Sequence, residues 1–237
     1  MAPTDHLAGR HSRLASSKDW SSQPHEAKQK MAWIIRGMYG KSVIGYSAED
    51  ANVLEAYFEN NFVQPGSLKR VCWNCGGPIP SEVMPRRVRL AKAKTMSDWM
   101  LMRRGGDLVS SRVKDAVEEL DPGRHQFFPV IVEDKDGSVR AEQQHFILNV
   151  VGRIDSIIAQ RSHFDVVGQA NTDNWAYSKR VGPWHCTLDV SVIDGRACWV
   201  EHRYTDCWFV SDRLAAMLRK RKVNGIRLDF HSEEASL

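Results

Sequence analysis

The sequence predicts an α+β fold in which antiparallel hairpins pack against several helices. Apolar runs flank two Asp-Gly pairs, at 136–137 and 194–195, and Asp-Gly between alternating residues is a strong hairpin signal. Two further segments, "SSRVKDAVEEL" and "SDRLAAMLRK", begin with serine and repeat apolar residues at helical spacing. Hairpins and helices that do not alternate regularly indicate a mixed or antiparallel sheet with packed helices.

The composition is that of an ordinary soluble protein. The chain has 237 residues, of which 42% are hydrophobic and 26% are charged. It contains no apolar run of about 18 residues that could span a membrane, and its N-terminus lacks the apolar stretch of a secretory signal. Five cysteines, an odd number, fit a reducing compartment better than a disulfide framework. We therefore expect a cytoplasmic protein.

The first 30 residues differ from the rest of the chain. They are rich in Ser, His, Lys and Gln and have almost no apolar periodicity, so they cannot bury enough surface to offset the entropy of ordering. We expect residues 1–30 to form a flexible tail and residues 31–237 to form one domain, with a subdomain boundary near residue 100 as an alternative. Met31 opens "MAWIIRGMYG", which is a natural start for a folded domain.

A strand and a helix are predicted next. The strand is Ala32–Ile35, and the helix follows Ser47, a suitable N-cap with acidic residues after it. The apolar positions of this helix recur at helical spacing and are Leu54, Tyr57, Phe58 and Phe62. On the other side Glu55 and Glu59 lie four residues apart, and like charges at that spacing mildly destabilise a helix. This pair indicates either a solvated face or an acidic binding surface.

The middle of the chain predicts a helix followed by a hairpin. Residues 64–87 contain several Gly and Pro residues and are expected to be irregular. A helix follows, and its apolar side consists of Val109, Val113, Ala116, Val117 and Leu120. "DPG" at 121–123 ends this helix. Phe127–Val132 is then a buried strand, "EDKDGS" is the turn, and "HFILNVV" is the return strand.

The last third of the chain has one irregular part and one regular part. Residues 153–183 have no clear periodicity, and aromatic residues are scattered here and just beyond: Trp175, Tyr177 and Trp184. "CTLDVSVIDGRACWVEHRY" predicts a second hairpin that turns at Asp194-Gly195. A helix capped by Ser211 or Asp212 follows, Asn224-Gly225 closes it, and Ile226–Phe230 is a last strand. No internal repeat is recognised.

The motif "CWNCGG" has the spacing of half a zinc site. A structural zinc site needs four ligands, and no second pair accompanies Cys72 and Cys75. A redox dithiol would need a helix after the first cysteine, which the Gly-Gly-Pro sequence at 76–78 disfavours. We expect an ordinary loop, with no metal and no cofactor. A zinc-stabilised interaction protein is the alternative.

Positive charge is concentrated in two runs. The net charge is +4 and the pI is about 8.8. The first run consists of Arg86, Arg87, Arg89, Lys92, Lys94, Arg103 and Arg104, and the second occupies residues 219–222. Solvated surface explains both runs, and a nucleic-acid-binding module that uses residues 86–104 is an alternative.

No catalytic motif is recognised in the sequence. There is no Gly-rich phosphate loop, nucleophile elbow or HExxH motif. Glu118 and Glu119 lie on a predicted helix surface, and nothing marks them as an acid–base pair. The nine histidines share no spacing. The sequence therefore does not predict an enzyme.

Two stretches together resemble a known family. They are "DLVSSRVKDAVEEL…HQFFPVIV…DG…HFILNVVGRIDSI", with the aspartate Asp155, and "WFVSDRLAAMLRKRKVNGIRLDF". This pattern is similar to a family of bacterial immunity proteins from polymorphic toxin systems, formerly a domain of unknown function. The resemblance covers about residues 105–158 and 204–230, and more loosely the start at Met31. Its motifs lie at core and cap positions, so they identify a fold more than a binding mechanism.

The resemblance implies a binding protein without catalytic residues. Such a protein binds one copy of a toxin encoded by the neighbouring gene and occludes its active site or substrate groove. The toxin passes between competing bacteria by a contact-dependent or type VI-like secretion route, and nucleases are frequent toxins in such systems. Residues 110–138, which form the predicted helix, the strand after it and the turn, are expected to hold the scaffold. We expect the contact residues to lie outside this unit, at Glu55, Glu59, Trp175, Tyr177 and Trp184.

Overall fold

The computed structural model describes most of the chain from Met31 onward. The described residues are 31–37, 44–46, 48–60, 76–90, 96–102, 106–168, 175–180, 185–203 and 208–235. The N-terminal 30 residues, Ser47 and Phe62 lie outside them. Within them, fourteen strands and four α-helices confirm the predicted α+β class.

Two six-stranded sheets carry most of the structure. Sheet A consists, in spatial order, of β11 (Thr187–Asp189), β14 (Ile226–Ala235), β1 (Met31–Gly37), β13 (Trp208–Ser211), β12 (Cys198–Glu201) and β8 (Arg153–Ile154). Sheet B consists of β2 (Ile44–Tyr46), β3 (Arg87–Leu90), β6 (Gln126–Glu133), β7 (Val139–Asn149), β5 (Asp107–Ser110) and β4 (Trp99–Leu101). β9 (Phe164–Gly168) and β10 (Trp175–Arg180) form a separate pair.

Three of the four described α-helices occupy the positions that the apolar spacing predicts. The helices are α1 (Ala48–Asn60), α2 (Ser111–Leu120), α3 (Val190–Ile193) and α4 (Asp212–Lys220), with 3-10 helices at Ser81–Val83 and Ala159–Arg161. The predicted ones are α1, α2 and α4. The Ser211 hydroxyl accepts a hydrogen bond from the Leu214 amide and caps α4. Val109, predicted on the helix, instead lies in strand β5, because the helix begins only at Ser111. The hairpin between β6 and β7 confirms the predicted turn at Asp136-Gly137.

The second predicted hairpin is wrong. β11 and β12 lie far apart in sheet A: β11 pairs in parallel with β14, and β12 pairs with β13 and β8. The short helix α3 separates them and is capped by the Asp189 carboxylate, which accepts a hydrogen bond from the Ser191 amide. Asp194 and Gly195 have positive φ, as a hairpin turn requires, but here they end α3.

The two sheets repeat one arrangement, which the sequence analysis missed. The order β4-β5-β7-β6-β3 in sheet B matches β12-β13-β1-β14-β11 in sheet A, with three antiparallel pairs followed by one parallel pair in each. Each sheet, together with the helix that follows its second strand, forms one half of the molecule: sheet B with α2, and sheet A with α4. The second strand leads into the helix through "VSSRV" at 109–113 and "VSDRL" at 210–214. The order of the strands along the chain differs between the two sheets. The position between the second and fourth strands is occupied in sheet B by β7, which follows β6, and in sheet A by β1, which precedes all the others.

The halves meet at a reciprocal set of hydrogen bonds. The residue after α2, Asp121, accepts hydrogen bonds from the Ala197 and Cys198 amides at the start of β12, at 2.8 and 3.1 Å. The loop after α4 likewise accepts hydrogen bonds from backbone amides at the start of β4. Asn224 accepts hydrogen bonds from the Asp98 amide at 2.9 Å and from the Trp99 amide at 3.2 Å. Each helix is thereby anchored to the first strand of the other half.

Three clusters of apolar side chains form the interior. The largest joins both halves: α2 and α4 pack there, and the Trp99 and Trp208 rings lie 5.7 Å apart. A second cluster fills the opposite face of sheet B beneath α1, where Leu54 is buried and Tyr57 and Phe58 are half-buried. The third lies on sheet A around Trp199 and Phe209. Trp99, next to the alternative boundary near residue 100, lies in the cluster that joins both halves, whereas Met100 lies in the second cluster.

Candidate functional site

Two buried carboxylates of this fold, those of Asp121 and Glu201, have structural partners. Burial alone would raise the pKa of Asp121, but hydrogen bonds from His125, Ala197 and Cys198 and the charge of His125 hold it below its ordinary value. Burial raises the pKa of Glu201 to about 7, even though its carboxylate accepts hydrogen bonds from the Ser156 amide and hydroxyl. These groups hold strands and loops together and are not arranged around an open cleft.

An open groove lies instead at one edge of β6. It has a volume of about 730 Å³ and runs between β6 and the segment of residues 81–86. Its lining is Ser81, Glu82, Met84, Pro85, Arg86, Phe128, Pro129, Val130, Ile131, Val132, Val139, Arg140 and Gln144. The groove includes Phe128, Pro129 and Val130 of the "FFPV" stretch, which the sequence analysis assigned to the structural unit alone.

The groove exists because the chain bridges the β6 edge at two points. At one end the Gln126 side-chain amide exchanges two hydrogen bonds with the Ile79 backbone, at 2.8 and 2.9 Å. At the other end the Ile131 amide donates to the Arg86 carbonyl at 2.9 Å, and β3 pairs with β6 from there onward. Between these points Pro129 has no amide hydrogen to offer a neighbouring strand, which suits an uncovered edge.

Two arginines beside the groove share one carboxylate. Arg87 Nη1 lies 2.6 Å from Glu133 Oε1, and Arg89 Nη2 lies 2.8 Å from Glu133 Oε2. The Glu133 side chain is only 9% exposed, whereas the arginine side chains are 52% and 56% exposed. Hydrogen bonds from Arg89 and then Arg87 hold the pKa of Glu133 below its usual value. The two guanidinium groups are therefore fixed in place and remain accessible to a partner.

Comparison with protein families identifies the family of the chain. The family described as Immunity protein family (Imm11) matches residues 17–231, which is most of the chain. The chain belongs to the Imm11 immunity protein family. Membership confirms the predicted resemblance and indicates a toxin-neutralising role with a cognate toxin as partner. We find no significant match among curated proteins.

The structure places two of the residues predicted to contact the toxin in this Imm11 protein. Glu55 and Glu59 are both exposed on α1, whose other side packs into the cluster beneath the groove. α1 also contacts the 3-10 helix at Ser81–Val83, which borders the groove. α1 therefore adjoins the segment that borders the groove.

The other predicted residues are only partly described. Trp175 and Tyr177 lie on β10, opposite Gly168 and Val166 of β9. Trp184, Cys72 and Cys75 lie outside the described residues, so the zinc alternative stays a prediction. The part of the chain that the structure describes contains no group of three or more His, Cys, Asp or Glu residues that could hold a metal ion.

The basic run at 86–104 is divided by the structure. Arg87 and Arg89 are bound to Glu133, whereas Lys92, Lys94, Arg103 and Arg104 lie outside the described residues.

Among the helices of the described ranges, none is both long and apolar enough to cross a membrane.

The groove was not found from the sequence, although a signal was present. Pro129 stands inside an apolar strand, and proline inside a predicted strand indicates an edge position. The isoleucine that follows the next valine, Ile131, is 40% exposed in the structure. In the sequence alone, the signal for an accessible sheet edge is Pro129.

Proposed function

We propose that this protein forms a tight one-to-one complex with the toxin encoded by the neighbouring gene and blocks the toxin's active site or substrate groove without turnover. The observation that carries the proposal is the family match over residues 17–231. The hydrogen bonds to Asp121 and Glu201 support it, because these buried carboxylates stabilise the scaffold that presents a binding surface. We further propose that the toxin is delivered between competing bacteria and neutralised in the cytoplasm.

The contact surface includes the exposed face of α1 and the aromatic segment. Glu55 and Glu59 would act as rim charges, whose reversal mainly slows association. Trp175, Tyr177 and Trp184 would act as anchors, because aromatic residues at the centre of an interface carry much of its binding free energy.

Co-expression with the neighbouring toxin tests this function. We expect cells that produce both proteins to survive and the two chains to co-elute as a one-to-one complex on a sizing column. A catalytically inactivated toxin, produced alone, is the control for toxicity. Cell death despite soluble protein, or survival without a detectable complex, would contradict immunity by binding.

A further inference from the structure

We propose that the groove at the β6 edge, together with the arginines beside it, binds an extended acidic segment of the cognate toxin. One apolar side chain of that segment would lie against Ile131 and Val139. This inference rests on the proposed function and names the surface and the chemistry by which the toxin is held.

The apolar part of the site is exposed without a cover. Ile131 is 40% and Val139 is 58% exposed, and they are two of the four large hydrophobic side chains that are exposed among the described residues. Both line the same groove. Groove-lining apolar side chains that remain in contact with water release that water when a partner side chain covers them, which favours binding.

The charges around the groove select an acidic partner. Arg86, Arg87 and Arg89 are exposed, whereas Glu133 is covered by its two arginines and Asp134 is engaged by Arg140. The exposed acid that lines the groove is Glu82. In the parallel ladder Arg87 lies directly opposite Ile131. A carboxylate of the partner can therefore reach a guanidinium while its neighbouring apolar side chain fills the groove.

The form of the groove favours side-chain insertion over strand addition. An added strand needs a row of backbone donors and acceptors along the sheet edge. Pro129 removes one donor, and the chain bridges at Ile79 and Arg86 close the edge on both sides. The toxin segment is therefore held by side chains in the groove and by charge-assisted hydrogen bonds to guanidinium groups, which are the stronger class of hydrogen bond.

Binding of the inactivated toxin domain encoded beside this chain tests the proposal with two variants. The first is Arg86→Glu, which changes an exposed side chain. The hydrogen bond between the Ile131 amide and the residue 86 carbonyl involves only backbone atoms and is kept. The second is Ile131→Thr with Val139→Thr, which keeps the branched shape that strands favour. We expect each variant to raise the Kd about 30-fold, since loss of an interface anchor commonly has an effect of that size. Arg86→Glu should also weaken the salt dependence of association.

Matched controls change equivalent residues away from the groove. Arg213→Glu alters an exposed arginine on α4, and Val192→Thr alters an apolar residue on α3 that is 39% exposed. We expect the controls to bind the toxin like the wild type. Unchanged melting temperatures would show that the groove variants are folded.

A photo-crosslinking residue in place of Val139 provides a second measurement. We expect it to label an acid-rich segment of the inactivated toxin. If wild type and groove variants bind equally well and residue 139 does not crosslink, the groove proposal is wrong while the proposed function stands. If the wild type itself binds no toxin, both fail. Toxin binding that is unchanged, with loss only of duplex DNA binding in Arg86→Glu, would also overturn the groove proposal.

Discussion

At the scale of single residues, the most unusual group is the carboxyl of Asp107. It lies in the core shared by the two halves, is only 6% exposed, and its Oδ1 has no hydrogen-bond partner. Burial raises its pKa to about 7, and the indole of Trp99, which lies nearby without reaching hydrogen-bond geometry, opposes this only in part. The pKa of the Cys198 thiol in β12 is raised by burial first, then by the charge of Asp121, and then by the charge of Asp107.

This group makes stability depend on pH. Because the folded pKa of Asp107 is raised, the folded chain binds more protons than the unfolded chain between about pH 4 and pH 7, and stability falls as pH rises through that window. A shift from 3.8 to about 7 corresponds to at most about 4 kcal/mol. For Asp107→Asn, we expect the free energy of unfolding relative to wild type to rise by about 2–4 kcal/mol from pH 4.5 to pH 8.

Urea denaturation across this range measures the effect. Comparison between two pH values removes any constant effect of the new amide group. Asp115→Asn, at an exposed position on α2, is the control and should follow the wild type. The pKa of Glu201 is also raised, so part of the decrease in stability with rising pH should persist in Asp107→Asn. A difference between variant and wild type that does not change with pH would contradict the assignment.

At the scale of elements, the connection after α4 fixes how the halves meet. Gly225 has φ +81°, and a Cβ there would lie 2.1 Å from the Trp99 carbonyl oxygen. The backbone can approach β4 this closely only without a side chain. The same loop supplies the Asn224 hydrogen bonds to Asp98 and Trp99. The Asn-Gly pair therefore docks one half on the other, in addition to ending a helix.

We expect Gly225→Ala to lower the free energy of unfolding by about 3 kcal/mol or more, because backbone strain and a backbone clash add together. Gly195→Ala is the matched control: Gly195 also has positive φ, but an added Cβ meets nothing within 4 Å. Its cost should be about 1 kcal/mol, from strain alone. Chemical denaturation of both variants compares the two costs, and equal values would show that the close approach to β4 is unimportant.

Elements were predictable where the information is local. α1, α2 and α4 follow from apolar spacing, and for α4 the predicted serine cap is also observed. β6 and β7 follow from a turn between adjacent runs. β11 and β12 were paired wrongly because positive-φ residues suit both a hairpin and a helix end, and the true partner of β11 is β14, far along the chain. The groove depends on Ile79 meeting Gln126, a side-chain contact that no local pattern encodes.

At the scale of the whole molecule, the repeat suggests an alternative order of the chain. Met31 at the start of β1 pairs with Glu233 near the end of β14. These strands are therefore antiparallel neighbours whose adjacent ends could be joined by a hairpin turn. In sheet B the equivalent strands β6 and β7 are joined by a turn. A short linker from Ala235 to Met31 would give both halves the same connectivity, since nearby ends tolerate such rearrangement.

We therefore expect a circular permutant to fold. It joins Ala235 to Met31 by an Asn-Gly linker, omits residues 1–30, and opens the chain between Gly37 and Ile44. Its melting temperature should lie within about 4 °C of that of the linear chain 31–235, which corresponds to roughly 1 kcal/mol. The linear chain in turn should match the full-length protein if the tail does not contribute to folding. A permutant that fails to fold while the linear chain folds would contradict the pairing of β1.

The position of β1 also has a consequence during protein synthesis. The ribosome makes β1 before every other strand described here, yet its two neighbours, β13 and β14, are among the last to be made. All strands of sheet B precede residue 150, so they can pair while translation continues. The centre of sheet A must wait until β13 and β14 have been made. A ribosome that stops before Trp208 therefore leaves β1 without either partner. We expect such unfinished chains to be substrates for chaperones and proteases, and protection to begin only after β14 has been made.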